Sequence, residues 1–179
     1  RSGENFLGIK IIAATIPIVF VGFLISGAFL ESVRTTFVVA WMLIIWGILL
    51  WVADIVGRKY AKRAREYKQM TWKHVILVGL FQIFALIPGS SRSGVTMTAG
   101  LFAGLDRETA TRFSFLISIP AIAGAGVLVM FDAVESGFST EFLPMFFGFL
   151  ASAFAGMVAI QALLSIVKRI GFGWFAGYR

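Results

Sequence analysis

Apolar residues in this chain fall into long blocks separated by short polar stretches, and the block lengths predict the architecture. Residues 9–30, 37–56, 113–131 and 142–167 are each long enough to cross about 30 Å of hydrocarbon, which takes roughly 20 helical residues. Pro17 lies inside the first block, Asp54 lies near the end of the second, and the third extends back to Ala110. Phe172 opens a further apolar stretch. Residues 75–87 and 95–105 are equally apolar, but each is too short to cross alone. Between them stands Pro88-Gly89-Ser90-Ser91-Arg92-Ser93-Gly94. Pro88 disfavours helix at Ile87 and ends the first segment. The pattern therefore predicts two half-helices meeting at a tip over 88–94, a re-entrant hairpin over 75–105, rather than one long span.

Composition narrows the class. Hydrophobic residues make up 59% of the chain, charged residues only 14%, and the mean hydropathy is +0.89. No alternating ten-residue pattern suggests a barrel. The expected fold is all-α and integral to the membrane, with four full transmembrane helices plus one re-entrant helical hairpin, in a single membrane domain over 1–179. With no cysteine, disulfides and thiolate chemistry are excluded. The net charge of +7 does not read as nucleic-acid binding, because the basic residues sit between apolar blocks and orient the protein in the bilayer.

Charge counting supports the hairpin. With a cytoplasmic N-terminus and a re-entrant segment, Arg1, Lys10, the seven basic residues of a 57–73 loop, Arg107, Arg112, Lys168, Arg169 and Arg179 all fall inside. The outer side then holds Arg34 with Glu31, Asp132, Glu135 and Glu141. A single long span would move Lys168 and Arg169 outside and those last three acids inside, against the positive-inside rule. The basic loop also suits anionic headgroups.

The tip carries the chemistry. An arginine at bilayer depth costs about 2.5 to 3.5 kcal/mol on insertion scales, and an anion in a water-filled cavity is the simplest offset. A half-helix starting near 91–94 would point its N-terminal N–H groups at the tip, with about half a positive charge. Arg92 adds a full charge and a planar fork that matches two phosphate oxygens. Ser90, Ser91 and Ser93 add hydroxyls, and Gly89 and Gly94 let the backbone wrap an anion. Thr96 and Thr98 lie a turn further in and can reach the same cavity. A bland alternative stands beside this: the break is a hinge, its hydroxyls satisfy backbone groups, and Arg92 pairs with a carboxylate.

Other polar residues read as structural. Gln82 and Gln161 are expected to hydrogen-bond between helices, and Ser114 and Ser118 to pack. Lys10 can snorkel. His74, at the cytoplasmic edge, is not expected to act as acid or base. Asp106 is placed to cap the helix that follows it. Gly100 with Gly104, Ser152 with Gly156, and Gly124 with Gly126 are read as close helix contacts. Trp41 and Trp51 suit interfaces, and Trp46 between them faces lipid or packs. No base, nucleophile partner or metal carboxylates are in view.

The run from Pro88 to Gly94, followed by Val95-Thr96, resembles the PGxSRSG signature of the bacitracin-resistance (BacA/UppP) family of undecaprenyl-diphosphate phosphatases. Phe81-Gln82 before it, Arg112-Phe113-Ser114-Phe115-Leu116 and Ile119-Pro120 after it, and Lys168-Arg169-Ile170 agree. The resemblance implies an inverted-repeat fold with a re-entrant hairpin in each repeat. It also implies removal of the terminal phosphate of undecaprenyl diphosphate at the outer (periplasmic) face of the bacterial plasma membrane, supported by calcium or magnesium. The implied catalytic residues are Arg92, Ser91 and Ser93, with Gly89, Ser90, Gly94 and Thr96 binding the diphosphate. The implied partners are that lipid and the bilayer, a homodimer is admitted, and nucleic acid is not expected.

The family's acidic E-x-x-x-E stretch and its histidine do not occur in these residues, and His74 does not match that histidine. The chain, which opens on Arg1, is therefore expected to be a C-terminal portion lacking the first repeat, where the metal ligands are expected, and to be inactive alone. A polyprenyl-phosphate transporter or flippase, or an anion-conducting protein, is the alternative. Broken helices around an arginine serve translocation equally well.

Overall fold

A computed structural model describes residues 2–25, 27–59, 70–135 and 142–179. Its helices are α1 (Ser2–Leu24), α2 (Gly27–Ser32), α3 (Thr36–Lys59), α4 (Trp72–Gln82), α5 (Arg92–Phe102), α6 (Arg107–Glu135), α7 (Phe142–Ile170) and α8 (Gly173–Tyr178). A short 3-10 turn, Ile83–Leu86, extends α4. Phe6–Leu24, Thr36–Gly57, Arg107–Asp132 and Leu143–Val167 are long and apolar enough to cross a membrane. They match the four expected spans with one difference. The first ends at Leu24, Ile25 bends, and Gly27 opens a separate short helix instead of the span running on to Leu30. Most of the basic 57–73 loop, residues 60–69, lies outside the described residues, as do Arg1 and Glu141.

Two shorter helices, α4 and α5, flank the 88–91 break, and neighbouring contacts give their direction. A Cβ on Gly79 of α4 would stand 2.8 Å from the Ala14 carbonyl oxygen, and one on Gly22 would meet Leu86, so α4 ascends alongside α1. On α3, Trp46 meets Phe81 and Phe84 with ring centroids 6.4 and 5.8 Å apart. Gly89 lies on Val39 and Gly57 on Leu101. α5 therefore descends along α3, antiparallel to α4. α6 rises again, with Gly100 against Ala110 and Thr96 against Ser114. α4 and α5 are thus an antiparallel pair, a helical hairpin within the fold.

The tip does not stop midway along α3. Gly89 is level with Val39, near the start of α3, while the hairpin's far end returns to Asp54, about 22 Å away along the helix axis. The 3-10 turn and the extended Ile87 add length that the apolar count of 75–87 did not include. Arg92 is correspondingly nearer one end of the bundle than its centre.

The other end of α3 is tied by a charge pair that the sequence reading passed over. Arg107 grips Asp54 in a fork, Nε to Oδ1 at 2.5 Å and Nη2 to Oδ2 at 2.9 Å, and the Phe172 N–H donates to Oδ2 at 3.3 Å. Asp54 is 1% exposed. One carboxylate thus joins α3, the α5–α6 turn and the α7–α8 turn. Removing one partner of a buried pair leaves the other charge uncompensated, so Asp54→Ala is expected to cost about 3 to 5 kcal/mol. Thermal unfolding in detergent reads this as a lowered Tm.

Several small expectations change. Lys10 donates Nζ to Met70 O at 2.8 Å, tying α1 to the entry of α4 rather than snorkelling. His74 is buried and accepts the Thr71 N–H on Nδ1 at 2.8 Å, so it caps its own helix. Asp106 caps α6 as expected, taking the Thr109 N–H at 2.9 Å and the Thr109 hydroxyl at 2.6 Å. Gly100 does pack closely, but Gly104 has φ +86 and turns the chain. Gly124, Gly126 and Gly156 meet no side chain within 4 Å, because α7 and the second half of α6 expose most of their apolar surface. Trp46 packs in the interior at 5% exposure.

Candidate functional site

Pro88 holds Ile87 extended (φ −78°, ψ 125°), which ends the 3-10 turn and starts the tip. Gly89 follows at φ +87. A Cβ there would stand 2.5 Å from Val39 O and 2.8 Å from Val39 Cα, so only glycine lets the tip rest on the α3 backbone. Ser91 then takes φ 56°, ψ 106°, a conformation rarely adopted by residues with a side chain, and becomes the N-cap of α5. Strain of this kind, about 1–3 kcal/mol, persists where the surroundings enforce it, and it clusters at functional sites.

The cap orders the start of α5. Ser91 Oγ accepts the Gly94 N–H at 3.3 Å and lies 3.4 Å from Ser93 Oγ, and the Val95 N–H returns to Ser91 O at 2.9 Å. Arg92 and Ser93, the first two residues of the helix, have no intrahelical acceptor for their N–H groups. Ser91 is exposed, and Arg92 and Ser93 are half-buried. The Arg92 guanidinium makes no ion pair or hydrogen bond with any described residue. The reading in which Arg92 offsets a carboxylate of another helix thus finds no partner among the described residues. A guanidinium with no partner among the described residues, two backbone donors and two hydroxyls thus share one turn, at the positive end of a helix dipole.

The other expected ligands sit behind this surface. Thr96 is 1% exposed, and its hydroxyl bonds Arg92 O at 2.9 Å and Ser93 O at 3.3 Å and meets Ser114 Oγ at 2.6 Å. Thr98 returns its hydroxyl to Gly94 O at 2.7 Å. In apolar surroundings a helix threonine satisfies itself on its own preceding turn, which is why neither reaches a cavity. Thr96 and Ser114 fasten the turn carrying Arg92 to α6. Ser90 and Gln82 are fully buried, and neither the Ser90 hydroxyl nor the Gln82 amide has a partner among the described residues. Gln82 therefore does not make the interhelical bond expected of it, and Gln161 is exposed on α7.

One residue at the site escaped the sequence reading. Arg179, which charge counting put on the basic-loop side, reaches the tip and donates to Gly89 O and Ser90 O. Its only sequence signal is that it is the sole charge after Phe172. No group of three or more His, Asp or Glu side chains converges among the described residues. The residues described therefore do not fit the divalent ion that the resemblance implies.

Comparison with known proteins adds a family. A family model described as bacitracin resistance protein BacA matches residues 1–179. An undecaprenyl-diphosphatase of Alteromonas mediterranea is 44% identical over 179 residues, covering all of this chain and 66% of the relative. An undecaprenyl-diphosphatase 2 of Stutzerimonas stutzeri is 41% identical with the same coverage. An undecaprenyl-diphosphatase of Rubrobacter xylanophilus is 43% identical over 98% of this chain and 64% of its own length. The chain thus spans just under two thirds of the length of these curated relatives.

Proposed function

The chain belongs to the bacitracin resistance protein BacA family, and from that premise we propose that its hairpin tip binds the diphosphate of undecaprenyl diphosphate while the terminal phosphate is removed. The observation that carries this reading is the uncommitted Arg92 guanidinium at the first position of α5. Phosphoryl transfer needs its equatorial oxygens neutralised and its groups held in line. Arg92 supplies a two-toothed charge-assisted contact, and the N–H groups of Arg92 and Ser93 supply donors that need no reorganisation. Ser91 and Ser93 add hydroxyls at the rim, Gly94 leaves room above α5 for the Arg179 guanidinium, and Thr96 with Ser114 holds the turn in place. Among the described residues no base or metal-binding set is assigned, and the attacking group is left to the rest of the full-length protein.

The setting fits a lipid substrate. Four apolar spans make this a multi-pass membrane protein, and the exposed faces of α6 and α7 suit a polyprenyl tail. In the proposed arrangement the hairpin enters and leaves the membrane at the Asp54 end. Its tip opens toward the α2–α3 end, which in this reading faces outside, in keeping with the positive-inside rule. There the reaction would recycle the lipid carrier for cell-wall polymers.

The test is phosphate release from undecaprenyl diphosphate by the full-length protein in detergent, with calcium, with magnesium and with a chelator. Metal-dependent release is expected. Binding of the lipid without release would overturn the phosphatase and favour translocation.

A further inference from the structure

Arg179 is 90 residues from Gly89 in sequence, yet its Nη2 donates to the carbonyl oxygens of Gly89 and Ser90, each at 3.2 Å. α8 delivers it along α3. A Cβ on Gly47 would be 3.5 Å from both Ala176 O and Arg179 Cβ, which places the end of α8 against α3 at Gly47. The second terminal nitrogen, Nη1, lies over the first turn of α5. It is 2.6 Å from where a Gly94 Cβ would stand, and Ser91 Oγ is 3.4 Å from the same point. Nη1 and the Ser91 hydroxyl therefore border one small space. No carboxylate among the described residues pairs with Arg179.

Two physical points give this arrangement a ligand. Carbonyl oxygens carry partial negative charge, and those of Gly89 and Ser90 would repel an anion at the tip; Nη2 occupies both. A guanidinium has five N–H donors, and the remaining ones here have no acceptor among the described residues. One fork also matches one phosphate group, so a diphosphate held by Arg92 alone would leave its other phosphate without a cation. We propose that Arg179 is a second guanidinium of the tip, its Nη1 binding one phosphate group of a lipid diphosphate while Arg92 binds the other. The proposal rests on the diphosphate reading above and adds to it the residue that separates a diphosphate from a monophosphate.

The test is calorimetric binding of inorganic pyrophosphate and of inorganic phosphate to the full-length protein in detergent, with lipid hydrolysis measured in parallel. Arg179→Ala is expected to weaken pyrophosphate by about tenfold or more, the scale of losing charge-assisted hydrogen bonds, and to leave phosphate binding nearly unchanged. Gly94→Ala should do the same, because its Cβ takes the place of Nη1, the movable end of a long side chain. Arg179→Lys, which keeps charge but not the fork, should fall between. It also keeps the question open to measurement if the alanine variant fails to fold. Equal losses for both anions would mean that Arg179 only latches α8 to the tip, and unchanged pyrophosphate binding in all three variants would overturn the proposal outright. Pyrophosphate binding that depends on Arg179 in a protein that hydrolyses no lipid would sink the phosphatase and leave the two-arginine site standing.

Discussion

Arg92→Ala in the full-length protein is expected to lower kcat/KM for undecaprenyl diphosphate about a thousandfold, with no loss of stability. The first half follows from what the side chain offers the reaction. It is the uncommitted charge at the start of α5, on the same turn as two hydroxyls and two backbone donors without an intrahelical acceptor. Deleting a preorganised donor to a developing oxyanion costs about 10²–10³ in rate, and deleting an arginine that neutralises a transferred phosphoryl group costs about 10³–10⁵. The second half follows from what Arg92 lacks. It has no partner to lose among the described residues, and a cation in the first turn of a helix opposes the dipole by about 0.3–1 kcal/mol. The alanine variant should therefore unfold at the same Tm or slightly higher. Arg92→Lys keeps the charge and loses the fork, so it should recover only part of the rate. A purified Arg92→Ala variant with near-normal turnover would show that the phosphate is held elsewhere. Lost turnover with a lowered Tm would mean that Arg92 is a structural residue.

Gly89→Ala should be the most damaging single methyl in the hairpin. Its Cβ would stand 2.5 Å from Val39 O and 2.8 Å from Val39 Cα, backbone atoms that cannot swing aside as a side-chain end can. The residue must also hold φ +87. Overpacking and left-handed strain together should cost about 3 kcal/mol or more. The relief available is for the tip to lift off α3, which moves the N-terminus of α5 with it. A displacement of about 1 Å can cost a hundredfold in rate, so turnover should drop by about that factor even in the fraction that folds. Gly104→Ala is the control. Gly104 has nearly the same φ, +86, but nothing within 4 Å of its Cβ position. It should lose about 1–2 kcal/mol from the backbone alone and keep its activity. Equal effects of the two substitutions on turnover would show that contact with Val39 does not set the tip.

Much of this was written in one dimension. Hydrocarbon thickness makes block length a direct reading of span number, so the four long helices follow from counting apolar residues. The hairpin break follows from local chemistry. Proline forbids helix at Ile87, glycine permits the turn, and the serine before Arg92 caps the helix through its own hydroxyl. Arg92 was conspicuous because a charge among apolar residues is costly wherever the chain folds. The orientation of Thr96 was not legible, since a threonine one turn into a helix can face a cavity or its own carbonyl with the same sequence around it. Neither was the depth of the tip, because Ile87 and the 3-10 turn lengthen the ascending arm beyond its apolar count.

Sequence alone was enough for whatever depends on neighbours in the chain: span count, the broken helix, its cap and its one conspicuous arginine. Folding was needed for whatever depends on residues far apart in it. Asp54, Arg107 and Phe172 are separated by 53 and 118 positions and meet on one carboxylate. Arg179 reaches Gly89 across 90 positions. No spacing rule links such residues, because their meeting is set by how α3 packs against the hairpin and α8, and the tightest of those contacts, Gly89 on Val39, leaves no room for a side chain.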